Sequence, residues 1–194
     1  FKITSLDKDA KSRDYEEAFL WLDDAMIVNH VYNTTEPSIG LSLNKDNTSY
    51  KCYMADTGLL ISHSFDEKGL VSEEIYKKIL FDKLEYNSGM IIENIVAQML
   101  VASNHKLFFY SNSSRNNSED RMEIDFLIAK TNITTRHNIS PIEVKSGKNY
   151  TLVSLNKFIS KYKEQLNTPY VIHTGDYKEE NGIVYLPIYM TPLL

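Results

Sequence analysis

Two strand-like stretches, MEIDFLIA and the later PIEVKS, carry charged residues within runs of apolar and β-branched residues. Because side chains alternate across a strand, Glu123, Asp125 and Leu127 are expected on one face of the first strand. The same rule places Glu143 and Lys145 together on one face of the second strand. A loop of moderate length joins the two strands, so antiparallel pairing would bring Asp125 close to Glu143 and Lys145.

The charged face of this strand pair has two interpretations. It is either the solvated side of an antiparallel sheet, for which such alternation is typical, or a functional site. Two observations favour a site: Leu127 interrupts the polar face, and Glu93 lies beside apolar residues in the upstream helical stretch ENIVAQML. A carboxylate at the edge of an apolar helix face is costly unless it is paired, and a cation shared with other carboxylates would pair it.

The chemistry of these residues indicates phosphodiester hydrolysis with a divalent metal ion. Asp125 and Glu143 are hard oxygen ligands of the kind that Mg²⁺ prefers, and Mg²⁺ keeps positions for water and for a substrate phosphate. Lys145 is expected to orient or deprotonate a metal-bound water and to stabilise charge on the phosphate. The sequence therefore predicts an acidic metal site with one catalytic lysine.

The order of the predicted elements indicates a mixed α/β fold of the α+β kind. An amphipathic helix in SRDYEEAFLWLDDAMIV, a strand in MIVNHVY and a short helix after YKCYM form an N-terminal unit with a small hairpin. A charged connecting segment of helical character follows, up to residue 87. From Ser88 onward we predict a helix, three strands, a helix from about Thr151 to Leu166, and one or two further strands.

Charge and composition limit the partners of the chain. The 21 Lys and Arg against 26 Asp and Glu give a formal net charge of -5, so nucleic acid could bind only at a local basic patch. The lysines around the last helix form such a patch or a solvated helix face: Lys148, Lys157, Lys161 and Lys163. The single cysteine, the absence of a signal peptide and the absence of a long apolar run predict a cytoplasmic protein without a membrane partner.

The stretches ENIVAQML, EIDFLI and SPIEVKSG, in this order, resemble the PD-(D/E)XK nuclease superfamily, particularly its archaeal Holliday junction resolvase-like branch. From AFLWLDDAMIV to LPIYM, the chain is also similar to a C-terminal domain of unknown function that follows the ATPase module in a family of prokaryotic AAA+-type ATPases. The resemblance implies a winged-helix-like unit with connecting helices over 1–87. It implies a restriction-endonuclease-like αβββαβ core with a mixed central sheet over 88–194.

Carried over residue by residue, the resemblance assigns four catalytic positions. Asp125 and Glu143 would hold Mg²⁺, or Mn²⁺ in its place, and Glu93 would assist the metal ion or its water. Lys145 would act on the attacking water, and DNA is the implied substrate. Ile124 stands where the motif has a proline, which removes part of the signature.

The resemblance assigns no role to Glu123, and the sequence contains no motif for ATP. Glu123 matches no position of the motif and is expected at the surface or in support of the ligands. No Walker A sequence is present, because SGKNYT has G-K-N where the motif has G-K followed by Ser or Thr, and it lacks the motif's earlier glycine, so no ATP site is expected in this chain. An ATPase module is expected upstream, since the chain begins at Phe1, and oligomers would form through that module.

Two functional hypotheses follow. The first is a metal-dependent nuclease domain that hydrolyses DNA. The second is a binding module that keeps the nuclease fold without turnover and recognises DNA or a partner protein for the ATPase. The net charge favours the second hypothesis, and the complete set of Glu93, Asp125, Glu143 and Lys145 favours the first.

Overall fold

The computed structural model describes residues 12–38, 40–65, 88–112, 120–129 and 138–194. Its α-helices are α1 (Ser12–Asp24), α2 (Thr57–Phe65), α3 (Ser88–Ala102) and α4 (Val153–Tyr162). Its strands are β1 (Val28–Thr34), β2 (Lys45–Met54), β3 (Phe108–Asn112), β4 (Met122–Ala129), β5 (Ile139–Lys145), β6 (Tyr170–His173), β7 (Lys178–Glu180) and β8 (Ile183–Pro187). Short 3-10 helices span Leu41–Asn44 and Ile188–Leu193.

All eight strands form one mixed sheet in the order β2-β1-β3-β4-β5-β6-β8-β7. The strands β3, β4 and β5 pair antiparallel, while β5, β6 and β8 pair parallel. Helix α4 makes the crossover between β5 and β6 that a parallel pair requires. The predicted mixed α+β fold and the succession αβββαβ from Ser88 onward are therefore confirmed.

One helix covers each face of the central sheet. Leu155 and Phe158 of α4 lie in one apolar cluster, and Val96 and Leu100 of α3 lie in a second. Because the strands are buried on both faces, β6 has the continuous apolar character of a central strand rather than an alternating pattern. We refer to the two sides as the α4 face and the α3 face.

Strand β4 contains a bulge at its centre. Phe108 of β3 pairs with Leu127, and Tyr110 pairs with Ile124, so β4 has one more residue than β3 over this interval. As a result Ile124 and Leu127 both pack in the cluster of the α4 face, while Phe126 packs in the cluster of the α3 face. The simple alternation of side chains is broken between Ile124 and Leu127.

The bulge changes one of the predicted faces. Glu123 and Asp125 share a face, as predicted, because both carboxylates contact the ammonium group of Lys51. The same ammonium group contacts Glu93 of α3, which places these acids on the α3 face. The prediction that Leu127 shares their face is wrong, because the extra residue turns Leu127 to the α4 face.

The N-terminal hairpin continues the central sheet. Strand β1 pairs antiparallel with β2 and parallel with β3. Asn94 of α3 fixes the end of β2: its amide oxygen accepts the N–H of Met54 at 2.8 Å, and its amide nitrogen donates to the Met54 carbonyl at 3.0 Å. The sheet thus contains strands from both sides of residue 88. The boundary between the predicted units 1–87 and 88–194 stays a prediction.

The connecting segment predicted up to residue 87 lies, over residues 66–87, outside the described part of the chain. Within the described part, no helix combines the length and the apolar character needed to span a membrane.

Candidate active site

Asp125 lies where β4 and β5 separate. The ladder between the two strands ends with the pair Phe126 and Ile142. Beyond that pair the backbone N–H of Val144 donates to Oδ2 of Asp125 at 2.8 Å. A buried backbone donor needs a partner, and the Asp125 carboxylate replaces the missing strand neighbour. Asp125 therefore lies against the backbone between Glu143 and Lys145.

Glu143 and Lys145 form a close ion pair at the end of β5. Nζ of Lys145 donates to Oε1 of Glu143 at 2.6 Å, since residues two apart on a strand share a face. Glu143 is 7% exposed, and its Oε2 is buried without a hydrogen-bond partner among the described residues. Burial raises the pKa of Glu143, and Lys145 opposes that shift.

A second group of charges surrounds the ammonium group of Lys51 on β2. Nζ of Lys51 lies 3.2 Å from Oε1 of Glu93, 3.0 Å from Oε1 of Glu123 and 3.7 Å from Oδ1 of Asp125. We call these four residues the Lys51 cluster. Burial lowers the pKa of Lys51, but the carboxylates of Glu93, Asp125 and Glu123 outweigh burial and raise it above its ordinary value, so the amine stays charged.

Tyr53 completes this group from the same strand. Its hydroxyl donates to Oε1 of Glu93, the atom that Lys51 also contacts. The Tyr53 ring packs against Phe126, with ring centroids 5.3 Å apart. Burial and the neighbouring Glu93 raise the pKa of Tyr53, so the phenol keeps its proton. Alternate residues of β2 thus hold the Glu93 carboxylate in place.

Asp125 belongs to both charged groups. Burial and the negative charges of Glu143 and Glu93 raise the pKa of Asp125 to about 7, against the opposing effects of Lys51 and of the Val144 N–H. A carboxyl group that titrates near neutral pH beside other acids is characteristic of functional sites. Electrostatic interactions thus connect Asp125 with Glu93 and Glu143, and Glu143 in turn with Lys145.

The donor chemistry of the site suits a divalent metal ion. Carboxylate oxygens are the ligands that Mg²⁺ prefers, and the unpartnered Oε2 of Glu143 is a buried oxygen that a cation would satisfy. In the arrangement described, however, Glu93 and Asp125 surround an ammonium group, and Glu143 binds Lys145 instead. No group of three or more His, Cys, Asp or Glu side chains in the described ranges is arranged to hold a metal ion.

The sequence analysis did not identify Lys51 and Tyr53. The alternation of the stretch YKCYM places Lys51 and Tyr53 on one face, which was the available signal, but the partners of that face lie in α3 and β4. Glu123 is exposed over 55% of its side chain, as expected for a surface residue, yet its carboxylate lies within ion-pair distance of Lys51.

The predicted basic patch has less free charge than its sequence suggested. Lys161 forms an ion pair with Asp120 at 2.9 Å. Its side chain and that of Asp120 are both more than one third exposed, so solvent weakens this pair.

Comparisons with known families match both parts of the chain. A family model described as "Domain of unknown function (DUF4143)" matches residues 88–191, which is more than half of the chain. A second family model, described as "Domain of unknown function (DUF8612)", matches residues 1–68. No curated protein and no solved structure matches the chain.

Proposed function

This chain belongs to the family of domains of unknown function designated DUF4143, and from that premise we propose that it is a metal-dependent nuclease domain that hydrolyses DNA phosphodiester bonds. Domains of this family commonly occur with AAA-type ATPases. The domain would act in the cytoplasm as part of such an ATPase. The relation to the PD-(D/E)XK nuclease superfamily is part of this proposal.

The observation that supports the proposal best is the contact of Asp125 with the backbone between Glu143 and Lys145, at the gap between β4 and β5. Asp125 accepts the N–H of Val144, and the two neighbours of Val144 are Glu143 and Lys145. Asp125 thus contacts the backbone of a residue 19 positions later in the sequence, which a solvated strand face does not require. Glu143 is buried there despite its charge.

Each residue has a role that follows from its surroundings. Asp125 and Glu143 would hold a divalent cation, with Glu93 beside Asp125 as a further acid. The cation, Mg²⁺ or Mn²⁺, would supply Lewis-acid stabilisation of the phosphate and activation of a water. Lys145, which is ion-paired with Glu143, would orient the attacking water and donate to the phosphate.

DNA and the ATPase are the proposed partners. The domain's net charge of -5 gives no general attraction to DNA, so binding would depend on local lysines such as Lys157 and on the cation itself. ATP would bind in the ATPase module rather than here, because this sequence lacks a Walker A motif. Oligomers would likewise form through the ATPase module.

A second candidate function is a binding module without turnover. It is favoured by the Lys51 ammonium group, which already neutralises part of the charge of Glu93 and Asp125. If that state is permanent, the acids are structural and the domain recognises DNA or a protein for the ATPase. The two candidates differ in one measurable property, which is cleavage that depends on Lys145.

The test is DNA cleavage by the whole chain with Mg²⁺ or Mn²⁺, on linear, supercoiled and branched DNA. We expect cleavage that stops with a chelator and falls by about 100-fold or more in Lys145→Ala, because a general acid-base group contributes factors of this order. Lys178→Ala is the matched control, since its exposed ion pair with Glu180 lies outside the site.

Equal cleavage by the native chain and Lys145→Ala would reveal a contaminating nuclease. No cleavage at all, together with DNA binding that both variants retain, would support the binding module instead.

A further inference from the structure

The Lys51 ammonium group occupies the position between two acids of the proposed metal site. Its Nζ is 3.2 Å from Oε1 of Glu93 and 3.7 Å from Oδ1 of Asp125, and it also contacts Glu123. A divalent cation would bind the same oxygens at about 2.0–2.1 Å for Mg²⁺. An ion held by these two carboxylates would thus lie within a few ångströms of Nζ.

Two cations cannot share this position at low cost. Their repulsion falls off only slowly with distance and is poorly screened away from bulk water. The side chain of Lys51 is 22% exposed, so it can relieve this repulsion by moving its ammonium group away from the acids and toward solvent.

We propose that Lys51 is an internal cation of this site, and that its ammonium group and a divalent metal ion exclude each other from Glu93 and Asp125. This inference rests on the proposed metal-dependent function. The state described has Lys51 between the acids, and the metal-loaded state requires Lys51 to be withdrawn.

A second observation is that a neighbouring buried carboxylate oxygen has no hydrogen-bond partner among the described residues while Lys51 lies between the acids. Glu143 is buried, and its Oε2 has no hydrogen-bond partner within the described part of the chain. The contacts of Lys51 are with Glu93, Glu123 and Asp125, so they leave this oxygen unsatisfied. The ammonium group of Lys51 therefore does not satisfy every buried carboxylate oxygen on which its charge acts.

The location of Lys51 gives this exclusion a structural consequence. Lys51 lies in the segment matched by the DUF8612 model, whereas Glu93 and Asp125 lie in the DUF4143 match. Strand β2 is the terminal strand of the sheet and pairs on one side only, with β1. In this proposal a lysine of the N-terminal segment competes with the metal ion for the carboxylates of Glu93 and Asp125.

The test is titration of Mn²⁺ into the whole chain by calorimetry at low ionic strength, without DNA. We expect Lys51→Met and Lys51→Gln to bind Mn²⁺ at least about tenfold more tightly than the native chain, because each removes a positive charge beside the ligands. Lys51→Arg should stay within about twofold of the native affinity, since it keeps the charge. Lys178→Met, which changes the net charge equally at a remote site, should do the same.

Equal or weaker binding by both neutral variants would overturn the inference, and so would an equal gain in Lys178→Met. If the neutral variants fail to fold without metal, circular dichroism with added Mn²⁺ decides: refolding supports the exclusion, and no refolding contradicts it. Cleavage is scored separately. Tighter Mn²⁺ binding without DNA cleavage would reject the nuclease and keep the exclusion, whereas Lys145-dependent cleavage with unchanged Mn²⁺ affinity would do the reverse.

Discussion

The Lys51 cluster and the Glu143–Lys145 pair are both groups of charged side chains in the sheet. They differ in net charge and in how far apart in the sequence their members lie. The pair joins one acid to one base two residues apart on a single strand. The Lys51 cluster gathers three acids around one base, from β2, α3 and β4. The pair is neutral and local, while the cluster has excess negative charge and exists only in the folded chain.

This difference indicates where a cation matters most. In the pair, loss of the lysine leaves one carboxylate that can take up a proton. In the Lys51 cluster, loss of the lysine leaves several carboxylates that repel one another. The cluster should therefore respond more strongly to removal of its base, and to a metal ion that replaces that base.

The largest expected effect is that of Lys51→Met on stability in metal-free buffer. We expect a loss of about 3 kcal/mol in the free energy of unfolding, near the lower end for breaking a buried ion pair, because Lys51 is partly exposed. Lys145→Met should cost about 2 kcal/mol, since only Glu143 loses its partner. Urea unfolding at pH 7 measures both, and an equal or larger loss in Lys145→Met would contradict the comparison.

The exposed ion pair of Lys178 and Glu180 supplies the control for both variants. Its side chains are 49% and 54% exposed, so solvent screens the pair and Lys178→Met should leave the free energy of unfolding close to that of the native chain. A similar loss in all three lysine variants would indicate a general effect of net charge.

The same contrast between local and distant partners explains what could be predicted from the sequence. Helix α3, the strands β3 to β5 and the helix α4 each have their own apolar periodicity, and each was predicted. The pair of Glu143 and Lys145 follows from the two-residue period of a single strand. Strand β7 was not predicted, because its sequence KEE has no apolar residue and its side chains are exposed.

The parts that escaped prediction depend on pairing between distant segments. The bulge that turns Leu127 away from Asp125 is one extra residue in β4, and the run EIDFLI has no feature that marks it. Lys51 meets its acids only in the folded sheet, where β1 and β3 lie between β2 and β4. The candidate acids were thus predictable, but their cation was not.

A second prediction uses the shared residue, Asp125, to separate the two groups by pH. Its pKa of about 7 in the folded chain exceeds its ordinary value near 3.8, so the folded state keeps a proton that the unfolded state releases. This contribution to stability is fully present below about pH 4 and is lost as the pH rises to about 7. Glu143, whose pKa is also raised, acts in the same direction.

Asp125→Asn should remove the Asp125 part of this pH dependence. Relative to the native chain, we expect little difference near pH 4 and a gain of about 2 kcal/mol at pH 8, where native Asp125 is ionised among other acids. The measurement is urea unfolding in metal-free buffer at both pH values. A gain of the same size at pH 4 and pH 8 would show that the substitution acts through packing, and a loss at pH 8 would contradict the assigned shift.

The smallest effect is expected for Glu123→Gln, which tests how the Lys51 cluster shares its one cation. The contact of Glu123 with Lys51 is the shortest of the three at 3.0 Å, but 55% of the Glu123 side chain is exposed, against 26% for Glu93 and 18% for Asp125. Solvent screens an exposed partner, so distance alone should not rank the three acids.

We therefore expect Glu123→Gln to change the free energy of unfolding by less than about 0.5 kcal/mol, whereas Glu93→Gln should cost about 1–2 kcal/mol because Glu93 also accepts from Tyr53. Urea unfolding of both variants at pH 7 gives the comparison, and each removes one negative charge. A larger loss in Glu123→Gln would mean that the exposed acid anchors Lys51. In that case Lys51 would be held from the solvent side of the cluster, and its withdrawal from Glu93 and Asp125 would need Glu123 to release it first.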